Sequence, residues 1–149
     1  MKYLRSIIVL LAFLISACIP SAAEEPVSSD DTPIPSQTSD FIPGPADGGL
    51  TRSEAFLDSV ELLTMESYPL QFNLHLKGNL PTPCHQLRIA VSPPDAENKI
   101  VIDIYSVTNP AEICIQTLEP FDVNYSLGSF PNGKYSLWVN GEMVAEFET

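Results

Sequence analysis

The chain has 149 residues, 44% of them hydrophobic, which is enough for one ordinary domain with its own core. Nineteen acidic residues against seven basic ones set the formal charge at -12 at pH 7. A surface this acidic repels phosphate backbones, which excludes nucleic acid as the expected partner; the same charge keeps a protein soluble.

The chain opens with two positive charges, Lys2 and Arg5, followed by an apolar run from Ile7 to Ile15. That run is shorter than the roughly 20 apolar residues of a membrane-spanning helix. It has the basic and apolar regions of an export signal. The run ends in Leu14-Ile15-Ser16-Ala17-Cys18, which resembles the lipobox of bacterial lipoproteins. The resemblance implies that residues 1–17 form a signal peptide and that cleavage falls before Cys18. It further implies diacylglycerol and acyl chains on Cys18, which hold the protein to a membrane on its extracytoplasmic side. Ile19, where an aspartate would favour inner-membrane retention, leaves cell membrane and outer membrane both open. The alternative is an ordinary secretory signal cut after Ser21-Ala22-Ala23, but the apolar run stops at the lipobox. Loss of Lys2 and Arg5 takes the mature charge to -14.

Between Ile19 and Leu50 stand six prolines and six carboxylates, with no Lys or Arg. Apolar residues there are scattered without period, so little surface can be buried to offset chain entropy. Residues 18–50 are therefore expected to be a lipidated cysteine and a disordered tether, and residues 51–149 the folded domain.

From Thr51 onward the pattern is β. Ser53 to Leu57 fits a short helical turn or an early strand, and Val60 to Leu63 a strand. Leu70 to Lys77 alternates apolar with polar, the period of a strand with one buried face, and Gly78-Asn79 is expected to end it. Leu87, Ile89 and Val91 mark the next strand, closed by Pro93-Pro94. Lys99 to Val107 is β-branched on both faces except at Asp103, which places it centrally. Alternation returns at Phe121, Val123, Tyr125 and Leu127, then at Tyr135, Leu137 and Val139, and last from Met143 to Phe147. Asn140-Gly141 predicts a type I′ hairpin turn between the final two. About seven strands without a sustained helical period predict an all-β fold, an antiparallel β-sandwich.

The segment Gly133-Lys134-Tyr135-Ser136-Leu137-Trp138-Val139 resembles the G-x-Y-x-x-x-V corner of immunoglobulin-like modules. The resemblance implies that the Tyr135 hydroxyl bonds back to the backbone at the corner into the penultimate strand. The Cys-Trp-Cys spacing of antibody domains is absent. The domain also resembles small β-sandwich domains carried by bacterial lipoproteins.

With Cys18 lipidated, Cys84 and Cys114 remain, and in an exported chain a disulfide between them is the default. A metal site built on Cys84, His85 and Cys114 is the alternative; adjacent Cys-His lacks the usual ligand spacing and no fourth ligand is evident. No metal or cofactor is expected. His75 falls on the polar face of its strand. Asp103 is expected on the half-exposed face of an edge strand, with a functional carboxylate as the sharper reading. Trp138 points opposite to Leu137 and Val139, toward a covering second sheet or toward a sugar or partner. No Ser-His-Asp order, nucleophile elbow or phosphate loop is present. Leu80, Pro81, Thr82 and Pro83 form a proline-stiffened stretch ending at Cys84. With Ile113 in the loop Asn109 to Cys114, they are the expected binding residues, because a stiff loop loses little entropy on binding. These features predict a noncatalytic binding module tethered to a membrane through Cys18. Its partner would be another envelope protein or a wall polymer. The alternative is a protease inhibitor acting through Leu80–Cys84.

Overall fold

The computed structural model describes residues 39–149, so the signal segment, Cys18 and the tether up to residue 38 lie outside the described residues. The strands follow from alternation: every second side chain faces one way, and the apolar set is buried. They are β1 (Thr51–Glu54), β2 (Phe56–Met65), β3 (Gln71–Leu80), β4 (Gln86–Val91), β5 (Lys99–Thr108), β6 (Glu119–Gly128), β7 (Lys134–Val139) and β8 (Glu142–Glu148). Among the described residues no helix is long and apolar enough to cross a membrane.

The strands form two sheets. One has the order β2-β3-β6, wholly antiparallel. In the other, β5 is central: β4 pairs along one of its edges, and β7 and then β1 share the opposite edge. The core between the sheets is built from fully buried Leu74, Leu76, Ile89, Ile100, Ile102 and Leu137. Alternation places Gln71, Asn73, His75 and Lys77 of β3 on the solvent side of the same strand.

The sandwich is as expected, but four details of the expectation are corrected. There are eight strands, because β1 and β2 run into each other at Ala55 and cross from one sheet to the other. Ala55 is 3% exposed, small enough to turn the corner inside the core. The sandwich is not wholly antiparallel, since β5 and β7 run parallel from Lys99↔Ser136 to Ile102↔Val139. Third, β3 does not end at Gly78-Asn79 but continues to Leu80. Gly78 is needed where two neighbours crowd the strand: a Cβ there would strike the Phe56 carbonyl oxygen and come within 2.7 Å of Phe121 Cζ. Finally, Ser39–Phe41 and Pro45–Gly49, expected within the tether, form two 3-10 turns folded against the sandwich. Phe41 packs on the core, and Asp47 makes two 2.8 Å bonds to Arg88. Phe41 and Asp47 tie this proline-rich segment to the sandwich, and without Asp47 the buried Arg88 would lose its ion pair.

The Asn140-Gly141 turn is as expected, with positive φ at both residues, 48° and 90°. This conformation gives Asn140 a second function. Its side chain accepts from Ile104 N at 2.7 Å and donates to Ile104 O at 3.0 Å, filling the gap on β5 between β7 and β1. The tyrosine corner is also present: buried Tyr135 donates to Pro131 O at 2.9 Å.

Candidate functional site

The ends of β3, β4, β5 and β6 carry the two loops that contain Cys84 and Cys114. These cysteines are disulfide-bonded, with Cα atoms 6.0 Å apart. Their sulfurs are therefore not available as the metal ligands considered with His85. Among the described residues, no group of three or more His, Cys, Asp or Glu is placed to hold a metal ion. The bond joins the β3–β4 loop to the β5–β6 loop, and Cys84 N also donates to Cys114 Sγ at 3.2 Å.

The two loops differ in what they show to solvent. Leu80, expected on the binding surface, closes β3 and belongs to the core at 6% exposed. Thr82 is 5% exposed, and its hydroxyl lies 2.8 Å from His85 Nδ1. Pro81 is half-buried and Pro83 exposed. Leu80 and Thr82 are thus buried connector residues, which corrects their place on the expected binding surface, while Pro81 and Pro83 keep contact with solvent. Of Leu80–Cys84, only Pro83 is exposed. The same burial places the Thr82 hydroxyl, and its bond to His85, beneath the surface.

The loop from Asn109 to Leu118 has the opposite character. Ile113 is 99% exposed, Ile115 70% and Leu118 56%. Ile113 was an expected binding residue; Ile115 and Leu118 were missed. Their signal was in the sequence, as aliphatics in a loop without strand alternation. The loop is held open at several points. Asn109 Oδ1 accepts from Ala111 N, and Asn109 O from Glu112 N, both at 3.0 Å. The disulfide fixes Cys114, and Gln116 Nε2 donates to Cys114 O at 3.3 Å. The isoleucines therefore project from a loop that is pinned by the disulfide and by its own hydrogen bonds.

The remaining candidates have structural partners. Asp103 sits on the half-exposed face as expected, but on the central strand rather than an edge, in a 2.7 Å ion pair with Arg52. Arg52 also lies 3.7 Å over the Tyr105 ring. Trp138 is half-buried; Lys99 Nζ sits 4.1 Å over its ring, and its Nε1 donates to Ser136 Oγ at 3.2 Å. Among the described residues no second sheet covers that face; Lys99 does, and the half-buried ring is not the core residue that a covering sheet would make it. His75 lies 2.7 Å from Asp122 on the outer face of the three-stranded sheet. His75 and then Lys77 hold the Asp122 carboxyl below the usual carboxylate range.

Comparison with curated proteins and with solved structures returns no match. The model of one protein family does match, the ORF11 beta-sandwich domain, over residues 74–149. That span runs from the middle of β3 through β8, including both disulfide cysteines and the apolar loop. The chain belongs to the ORF11 beta-sandwich domain family.

Proposed function

We propose that the protein is a lipid-anchored, extracytoplasmic binding module without catalytic activity, and that its disulfide-linked end is the partner-binding surface. The observation that carries this reading is the stapled loop with Ile113 almost wholly exposed. Three aliphatics exposed on one pinned loop bury little in the fold, which favours a role at an interface. A preordered loop also loses little entropy when it docks. The anchor is proposed from the lipobox at Ser16-Ala17-Cys18, and a chain between anchor and domain raises the local concentration of the module near the membrane.

Two measurements test the reading. Intact mass of the membrane fraction should show an acylated chain beginning at Cys18; an unacylated chain beginning at residue 24 would overturn the anchor. Capture of envelope components by the soluble domain should be lost in Ile113→Asp and kept in Met143→Asp, whose side chain is exposed on the five-stranded sheet. Loss only in the second variant would move the binding surface to that sheet.

A further inference from the structure

The disulfide-linked end also carries information about the chemistry of its partner, an inference that rests on the binding-end reading above. Ile113, Ile115 and Leu118 are exposed aliphatics within six residues of one loop. Glu112 and Glu119, both exposed, stand directly beside Ile113 and Leu118. Neither takes part in an ion pair among the described residues. The loop from Asn109 to Glu119 contains no Lys or Arg, and Arg52, Lys77 and Arg88 are paired with Asp103, Asp122 and Asp47. The result is an exposed apolar stretch flanked in sequence by two carboxylates, a composition that suits half of an interface.

Four occupants are separable by chemistry. A wall glycan is held by flat aromatic faces, and Asn109 to Leu118 contains no aromatic residue. Anionic lipid head groups meet the repulsion of Glu112 and Glu119. A second copy docking through the same end brings two more carboxylates and no Lys or Arg from Asn109 to Glu119, so it offers them no complementary charge. A protein with a complementary rim meets neither objection. We propose that the disulfide-linked end inserts Ile113, Ile115 and Leu118 into an apolar groove of another protein, whose rim supplies Lys or Arg to Glu112 and Glu119.

The test uses the full chain in the cells that make it, with a photo-crosslinking benzophenone amino acid placed at position 113 or 115. Control chains carry it at position 65 or 143. Irradiation should give one discrete protein adduct from 113 and 115, and none from the controls. Sequencing the attached peptide by mass spectrometry should show apolar residues with Lys or Arg close by. Reversing the rim with Glu112→Lys and Glu119→Lys should lower adduct yield about tenfold. An unchanged melting curve for that variant excludes loss of fold. An adduct to lipid, glycan or a second copy would overturn the partner proposed here and leave the binding end standing. So would an adduct peptide without basic residues, or a yield that charge reversal does not change. Adducts only from positions 65 or 143, or none at all, would overturn the binding-end reading together with the inference built on it.

Discussion

Leu80 and Ile113 are both aliphatic and both near the disulfide, yet truncating them should have opposite consequences. Leu80 is 6% exposed within the core cluster, whereas Ile113 is 99% exposed. Leu80→Ala removes buried methyl groups and leaves a cavity, at a cost of about 3 kcal/mol. For a domain of this size that lowers the thermal midpoint by roughly 10–20 °C. Ile113→Ala moves nothing out of a core, so its effect should lie within about 0.5 kcal/mol of zero. Leu80→Asp should fail to fold, because it adds an unpaired buried charge. Ile113→Asp should melt like the parent. Circular dichroism followed against urea for the four variants measures each value. A Leu80→Ala cost below about 1 kcal/mol would mean that the end of β3 is not core. A similar loss in Ile113→Asp would mean that the loop is packed, which removes the physical basis for the binding surface.

Three further perturbations test the frame around that surface. Replacing both Cys84 and Cys114 by Ala opens a bridge of sequence separation 30 and should destabilise by about 3.6 kcal/mol in the chain-entropy model, read as a lower urea midpoint. The Arg88 guanidinium holds the Asp47 carboxyl below its ordinary value of 3.8, so the pair's stabilisation is complete above pH 3.8 and fades as pH falls through the lower folded value. Stability measured from pH 6 to pH 2 should show this fall, and Asp47→Asn should flatten that part of the profile; an unchanged profile in the variant would refute the assignment. Asn140→Gly keeps the positive φ but strands Ile104 N and O on β5, and should cost about 1–3 kcal/mol; hydrogen exchange at Ile104 should rise with it.

What the sequence made legible was local. Alternation at Leu70–Lys77, the β-branched run of β5 and the Asn140-Gly141 turn each follow from two-residue periodicity or from one turn's dihedral preferences. The two cysteines named their own bond by default. What it hid was long-range. The parallel β5–β7 pair and the strand crossing at Ala55 join residues with no shared pattern. Asn140 as a bridge to Ile104 depends on a gap that only the assembled sheet creates. At the binding end, proline content suggested a stiff exposed stretch at Leu80–Pro83, but stiffness says nothing about which way side chains point. Leu80 continues the inward register of Leu74 and Leu76, and extending that alternation through Gly78 would have placed it in the core. Composition also hid the folding of Ser39–Gly49, since Phe41 and Asp47 act through partners on the sandwich.

The family match begins at Leu74, whereas residues from Phe41 onward pack on the sandwich, and truncation tests whether that earlier segment is part of the folding unit. β2 pairs with β3 from Phe56↔Asn79 to Met65↔Gln71, and β1 pairs with β5 from Thr51↔Thr108 to Glu54↔Tyr105. A fragment of residues 74–149 loses both strands and the start of β3. It leaves β3 and β6 as a two-stranded sheet with the inner face of β3 open on one side. Phe72, 1% exposed, is lost from an aromatic group in which its ring lies 4.4 Å from Phe147 and 5.9 Å from Phe130. Leu57, Val60 and Leu62 are lost from the core margin, and Arg88 loses Asp47. Counting the half-buried side chains at half weight, the lost burial is about 5–8 kcal/mol, before any term for the guanidinium. A domain of this kind has only about 5–15 kcal/mol in all. Residues 39–149 should therefore unfold cooperatively with dispersed amide signals, while residues 74–149 should bind a hydrophobic dye and show no sharp transition. A cooperative transition in the shorter fragment would mean that β1, β2 and the Asp47 contact are additions to a self-sufficient core of six strands.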